Sequence, residues 1–163
     1  MFKIKLLTLS LLSFLIISCV QNIQKDQMQY SIGYIDGELD GLNIKNILIQ
    51  NLSLINLYNR NSSSKIETKF SHNQELYITN IDKTSDREKI TTSLSFKIVD
   101  KNKSCVMYEN QFQASQFYIF ASSNKFLSNK AALEKIKYQN AEYIVRKLIS
   151  HLLNNKLECN LDE

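Results

Sequence analysis

The side chains in this chain with the greatest potential for chemistry are three cysteines and two histidines. His72 and His151 lie far apart, neither has a cysteine or carboxylate at a spacing suited to zinc, and both are predicted to be surface residues. Nothing beside Cys105 indicates an activated thiolate. The sequence also lacks a glycine-rich phosphate loop and a Gly-x-Ser-x-Gly turn. We therefore expect no catalytic residue, no metal site and no cofactor.

Cys19 ends the most informative stretch of the chain, its first nineteen residues. Lys3 and Lys5 precede an apolar and small-residue run over 6–17, the layout of a secretory signal. A helix of that length measures roughly 18 Å, against the ~30 Å hydrocarbon core of a bilayer, so a permanent membrane span is disfavoured. Residues 1–18 are predicted to be a signal peptide that is removed.

The residues around the predicted cut, Ile16-Ile17-Ser18-Cys19, resemble the lipobox of bacterial lipoproteins. The resemblance implies that a diacylglycerol is attached to the sulfur of Cys19 before cleavage and that the new amino group is then acylated, for instance with palmitate. Val20 stands where an Asp would retain such a lipoprotein at the inner membrane. The resemblance thus implies a lipid anchor in the outer membrane, on its periplasmic face. The alternative is an ordinary signal peptide that ends in a cysteine.

Removal of 1–18 leaves 145 residues, enough for one hydrophobic core, with a formal charge of +2. This small charge gives no reason to expect nucleic acid as a partner. We divide the mature chain into a tether over 19–28, a folded domain over 29–155 and a tail over 156–163. Cys105 and Cys159 could pair in an oxidising periplasm, or both could stay reduced, because the sequence does not report their distance.

The first half of the domain mixes strand and helix signals. Residues 28–35 alternate as in a strand, with Tyr30, Ile32 and Tyr34 on one side. Residues 36–41 are predicted to form an acidic turn, not a calcium loop, because Ile47 stands where such a loop needs a bidentate Glu. Residues 42–58 fit an amphipathic helix, while their Ile and Asn content favours a competing strand.

The second half has clearer periodicity. Short alternating runs at 65–70 and 75–81 predict a broken strand or small hairpin, and 90–98 alternate as a half-buried antiparallel strand. A return strand follows, with Val106, Tyr108, Phe112 and Ala114 inward, and a long helix is expected over 127–153. The order of elements predicts an α+β fold, a two-layer sandwich in which a mostly antiparallel sheet of about four strands has two helices on one face.

Residues 86–153 carry a recurring order of features: an Arg ahead of a strand, a hairpin, a return strand that passes into aromatic residues, a Ser-Asn-Lys-Phe helix entry and a closing helix. These features are Arg87, the strand 91–96, the turn at Asp100, the strand 112–120, the entry 123–126 and the helix segment 141–148. In this order and spacing the chain resembles the LptE-like family of lipopolysaccharide-assembly lipoproteins.

The family resemblance implies a non-catalytic plug and assembly factor for the outer-membrane β-barrel that delivers lipopolysaccharide (LPS) to the outer leaflet. It also implies that Arg87 and Lys125, which match basic positions of the family, bind the phosphates of lipid A. Solvated surface charges are the alternative for each of these two residues. Two rival functions remain: an auxiliary lipoprotein of an ABC-type lipid transporter, and a lipid-anchored hydrolase with a pocket around a perturbed titratable group.

Overall fold

The computed structural model describes residues 28–78, 85–119 and 126–159. In these ranges one sheet has the strand order β1-β2-β3-β4, in which β1 runs parallel to β2 and the other neighbours are antiparallel. Two helices accompany the sheet, so the predicted α+β class is confirmed. The elements in chain order are β1 (Ser31–Ile32), α1 (Glu38–Leu54), β2 (Ser64–Ile78), β3 (Ser85–Asp100), β4 (Cys105–Ile119) and α2 (Phe126–Asn154).

The central strand β3 shows the predicted alternation. One side of the strand is fully buried and consists of Ile90, Leu94, Phe96 and Ile98. The residues on its other side, at positions 91, 93, 95 and 97, are only partly buried. Burial of four such side chains contributes roughly 6 to 12 kcal/mol before conformational entropy is counted. The strand therefore fixes which face of the sheet carries the core.

Strand β2 is continuous where the sequence predicted a break at residues 71–74. The polar residues of that segment pair in unbroken register with β3, for example His72 with Thr92 and Gln74 with Ile90. The prediction was wrong because strand pairing is decided by the neighbouring strand, which overrides the weak local preference of polar residues.

Strand β4 differs from the prediction in which of its side chains face the core. The register shifts between Ile98 and Val99, and beyond this bulge Cys105 and Met107 are buried in place of Val106. A bulge places two residues opposite one, so the inward side of the strand changes. The other three members of the predicted set, Tyr108, Phe112 and Ala114, do pack against the core.

Strand β1 is much shorter than predicted. Only Ser31–Ile32 pair with β2, and Tyr34 is 82% exposed although the alternation placed it inward. After Gly33, whose amide donates to the Ile66 carbonyl at 2.8 Å, the chain leaves the sheet to enter α1. Because the strand ends at Ile32, the in-and-out alternation predicted for residues 33–35 is lost.

Helix α1 resolves the choice left open for residues 42–58. It begins at Glu38, inside the predicted acidic turn, because Glu38 and Asp40 in its first turn favour the positive end of the helix dipole. Its buried apolar side is the one that the 3.6-residue period predicted, namely Ile44, Ile47, Leu48 and Leu52.

Helix α2 covers β3 and β4 and lies beside α1. It agrees with the predicted range within one residue at each end, and it buries Ile136, Ala141, Ile144, Val145, Leu148 and Leu152. Within the ranges that the structure describes, neither helix combines the length and apolarity that crossing a bilayer requires. Beyond the helix, Cys159 forms a disulfide with Cys105, with the two Cα atoms 5.7 Å apart. The bond attaches the first part of the predicted tail to the start of β4.

Candidate functional site

Within residues 28–78, 85–119 and 126–159, the helices cover one face of the sheet and no element packs on the other face. On that other face the side chains are polar at every second position from Glu67 to Asn73 on β2, from Thr91 to Lys97 on β3 and from Glu109 to Ser115 on β4, because these positions alternate with those that face the helices. We call this surface the open face. Its members include Lys65, Glu67, Lys69, Ser71 and Asn73 on β2, Thr91, Ser93, Ser95 and Lys97 on β3, and Glu109, Gln111, Gln113 and Ser115 on β4.

Charges of alternating sign cross the open face near the start of β2. Glu67 lies opposite Lys97, which in turn lies opposite Glu109. Lys65 donates to Glu67 over 2.8 Å, and this hydrogen bond is the main reason that the pKa of Glu67 is lowered. A shallow cavity of about 480 Å³ lies over these residues. The acids and bases balance here, so this end of the open face attracts neither anions nor cations strongly.

The middle of the open face is polar without charge. Ser71, Ser93 and Gln113 share one row, and Thr91 and Ser115 hydrogen-bond each other at 2.9 Å in the next. Hydroxyl and amide groups both donate and accept hydrogen bonds. The surface can therefore adjoin water, sugar or another polar protein wall without leaving buried groups unpaired.

Basic and apolar side chains meet at the far end of the long strands. Lys89 lies opposite Glu75 and Phe117, and Arg87 lies opposite Ile119. Large apolar side chains are exposed at this end, Phe117 at 58% and Ile119 at 70% on the open face, and Leu76 at 64% on the helix side of β2. We call this set the distal end and define it as Leu76, Arg87, Lys89, Phe117 and Ile119.

Helix α1 does not extend over Leu76 on the helix side of β2. The helix begins next to Phe70, whose ring lies against Gly37, and it runs from there toward the start of β2. Strand β2 continues past Phe70 to Ile78, beyond the reach of this helix. Among the residues that the structure describes, Leu76 is consequently left exposed on the helix side of the sheet.

The three predicted site residues have different outcomes. Arg87 is exposed on the side of β3 that belongs to the open face, and Lys89, two residues on, adds a second cation that sequence reasoning did not select. Lys125 and Cys19 lie outside the described residues. The structure therefore shows where Arg87 lies, and the binding of lipid A phosphates by Arg87 and Lys125 stays a prediction.

His72 does not lie at the surface as predicted. Its side chain is 12% exposed, its Nδ1 lies 2.9 Å from the hydroxyl of Thr92, and its Nε2 lies 3.7 Å from Asp40. Burial is the main cause of the lowered pKa of His72, and the positive charge of Lys137 also lowers it, although the carboxylates of Asp40 and Glu134 act in the opposite direction.

The order Asp40, His72, Thr92 is that of an acid, a base and a hydroxyl nucleophile, but its geometry does not suit catalysis. Thr92 is completely buried, and the space between the helices beside His72 measures about 10 Å³, about enough for one water molecule. A substrate carbonyl would need to reach the hydroxyl from this space. The cluster therefore joins α1 to the sheet and offers no access to a substrate.

A buried amide continues this polar cluster. Asn140 of α2 is 1% exposed, donates to the Ile90 carbonyl at 3.1 Å, and accepts from the amide of Gln116 at 3.0 Å. Sequence analysis missed it, although a polar residue directly before the apolar Ala141 was a usable signal. His151, the other histidine, lies against the ring of Tyr108 with 4.5 Å between centroids. Across the described ranges, no three His, Cys, Asp or Glu side chains are grouped as metal ligands.

Comparisons with known proteins identify the fold. No protein-family model and no curated protein matches the sequence. Among solved structures, a minor lipoprotein from Acinetobacter baumannii matches with a TM-score of 0.58 at 11% identity, over 82% of this chain and 98% of that one. The rare lipoprotein B from Shewanella oneidensis matches with a TM-score of 0.54 at 12% identity, over 79% of this chain and 98% of that one. A lipoprotein B from Nitrosomonas europaea matches with a TM-score of 0.53 at 14% identity, over 76% of this chain and 84% of that one. The chain is thus similar in fold to bacterial lipoproteins.

Proposed function

We propose that the protein is a non-catalytic outer-membrane lipoprotein, anchored through Cys19, that acts as plug and assembly factor of the β-barrel LPS translocon. The distal end carries this proposal, because it combines two cations, one of which (Lys89) lies 3.9 Å from the carboxylate of Glu75, with three exposed apolar side chains. Lipid A presents phosphates next to acyl chains. Arg87 and Lys89 suit the phosphates, since guanidinium groups bind them bidentately and ammonium groups bind as point charges. Phe117 and Ile119 beside them, and Leu76 on the helix side, suit the chains.

The open face supports the barrel as partner. A lumen of a large membrane barrel is polar, and its walls are lined by the inward side chains of its strands. The central rows of the open face, with Ser93 and Gln113 among them, offer hydrogen-bonding groups and no net charge. Such a surface can adjoin a polar wall while the helices keep the core closed on the other side.

The fold similarity supports the lipoprotein part of this proposal. The chain shares its architecture with bacterial lipoproteins, and the lipobox-like sequence at Cys19 supplies the anchor that such proteins carry. The partners that we propose are the membrane, through the lipid anchor, the outer-membrane β-barrel and LPS. Nucleic acid is not among them.

Binding of LPS is tested by charge reversal at the distal end. Purified protein carrying Arg87→Glu and Lys89→Glu is expected to bind purified LPS at least about tenfold more weakly, because two charge-assisted contacts become repulsive. The matched control is Lys101→Glu with Lys103→Glu, which changes the same charge in the exposed turn at the opposite end of β3. Equal loss in both double variants would show that only net charge matters, and would refute the proposal.

The barrel partner is tested by affinity purification of the tagged, lipidated protein from membranes in mild detergent. An outer-membrane barrel is expected in stoichiometric amount. Recovery of the protein alone would contradict the proposal, and recovery of an inner-membrane ABC-type transporter would favour the rival function.

A further inference from the structure

An apolar groove of about 190 Å³ lies at the end of the molecule opposite the distal end. We call it the base groove. Its apolar lining comes from the start of the described chain, the loop after α1, and the end of α2 with the residues that follow it, namely Met28, Tyr30, Leu57, Leu152, Leu153 and Leu157. Three separate segments thus converge on one apolar depression.

Hydrogen bonds hold the entry of the chain at this end. The Tyr30 amide donates to the Leu57 carbonyl at 2.8 Å, and the Ser62 hydroxyl donates to the Gln29 carbonyl just before β2 begins. From Ser64 to Leu76 the strand advances about 40 Å. The base groove and the distal end are therefore separated by most of the length of the sheet.

The base groove leaves apolar surface open to solvent. Met28 is 39% exposed and Leu153 is 49% exposed, while Tyr30, Leu57 and Leu152 form its buried floor. An engineered apolar cavity of roughly 150 Å³ is large enough to take benzene, so the base groove has room for a short hydrocarbon segment. Asn155 and Lys156 line the same depression. Polar and cationic groups beside leucines suit a ligand that is apolar at one end and polar at the other.

The length of the preceding chain indicates which ligand is near. Nine residues, 19–27, separate Met28 from the end of the predicted signal peptide and include the proposed lipid anchor at Cys19. Nine residues span at most about 32 Å in any conformation. The anchor thus keeps the base groove close to the bilayer, while the distal end lies about 40 Å farther along the strands.

We propose that the base groove is a membrane-contact site that takes up an acyl chain of the leaflet in which Cys19 is anchored. This inference rests on the proposed lipidation. A domain seated in this way is oriented by its contact with the lipid, with α1 and α2 ending at the acyl chains and the distal end about 40 Å along the strands from this contact. The tether then sets the distance of the domain from the membrane, and the base groove sets its orientation.

The absence of tryptophan from the chain allows a clean fluorescence test. The mature, lipidated protein is reconstituted with a single Leu153→Trp reporter into phosphatidylcholine vesicles whose acyl chains carry bromine. Emission from position 153 is expected to fall by about half or more relative to unbrominated vesicles, since interfacial side chains reach roughly 5–10 Å into the acyl boundary. The matched control is Leu76→Trp, an exposed leucine at the distal end, and its emission should not change.

Several fluorescence results would contradict a membrane-contact site at the base groove. Equal quenching at both positions, or none at position 153, would overturn it. A blue-shifted but unquenched reporter at position 153 would also overturn it, because the protein's own unbrominated anchor would then occupy the base groove. Addition of Met28→Asp to the Leu153→Trp protein should restore emission, with circular dichroism as the check on folding.

The intact mass of the mature chain separates this proposal from the one on which it rests. A chain without acyl groups would overturn both. An acylated chain whose reporter at position 153 is not quenched would overturn the membrane-contact site alone and leave the proposed function standing.

Discussion

The ring of Phe70 lies where a side chain on Gly37 would have to be. A Cβ built on Gly37 falls 2.7 Å from the Phe70 Cε1 atom and nearer still to its Cζ, and the φ of Gly37 is +103°, a left-handed value that L-residues rarely adopt. The glycine is therefore required twice, by its own backbone and by the aromatic ring packed against it. This close approach connects the start of α1 to the middle of β2.

Replacement of Gly37 by alanine is expected to lower the free energy of unfolding by about 2–4 kcal/mol, from the positive φ together with the clash. Urea denaturation followed by circular dichroism measures the loss. Gly33→Ala serves as the control, because its Cβ would meet the flexible end of the Lys65 side chain at 2.9 Å, and a smaller loss is expected. In the Gly37→Ala protein, Phe70→Leu should recover part of the stability. No recovery would show that the ring is not the obstacle.

Asn140→Leu is expected to lower the free energy of unfolding by about 2–3 kcal/mol, since the Ile90 carbonyl and the Gln116 amide would each lose a buried partner. The neighbouring Gln139 is exposed, and Gln139→Leu should change stability by less than about 0.5 kcal/mol. Chemical denaturation of both variants gives the comparison. Similar losses at positions 139 and 140 would mean that the hydrogen bonds of the buried amide do not determine the effect.

The lowered pKa of His72 predicts acid sensitivity. The unfolded chain takes up a proton near the ordinary pKa of 6.5 while the folded protein resists it, so stability is full above 6.5 and falls as the pH drops toward the lower folded value. The groups that face the imidazole are Asp40, Glu134, Lys137 and Thr92. Denaturation between pH 7.5 and 5 should show a steeper loss for the wild type than for His72→Gln, and equal slopes would contradict the prediction.

The disulfide between Cys105 and Cys159 closes a loop across 54 positions of sequence. Loss of the bond in a protein with Cys105→Ala and Cys159→Ala is expected to cost about 4 kcal/mol in the chain-entropy model. Thermal unfolding of this variant against the oxidised wild type measures the difference. The single variant Cys159→Ala should lose a similar amount, because one cysteine is enough to abolish the bond. An unchanged melting temperature in both variants would show that the bond does not restrain the unfolded chain.

Local sequence determined the elements whose own periodicity is strong. The alternation of Ile90, Leu94, Phe96 and Ile98 and the long apolar stripe of α2 were sufficient to predict a half-buried strand, the closing helix and the α+β class. These predictions were confirmed because each element buries one continuous side, and such a side can be recognised from residue spacing alone.

Relations between distant segments were decided only by the tertiary structure. The pairing of β2 with β3 made one strand of a segment with a polar middle, and a bulge near Val99 exchanged the inward side of β4 at Val106. The inward position of His72, the disulfide partner of Cys105, and the meeting of Arg87 with Ile119 likewise depend on which strands become neighbours. Spacing along the chain reports which side of an element a residue occupies. It does not report what another element brings to that side, because that follows from the free energy of the whole packed core.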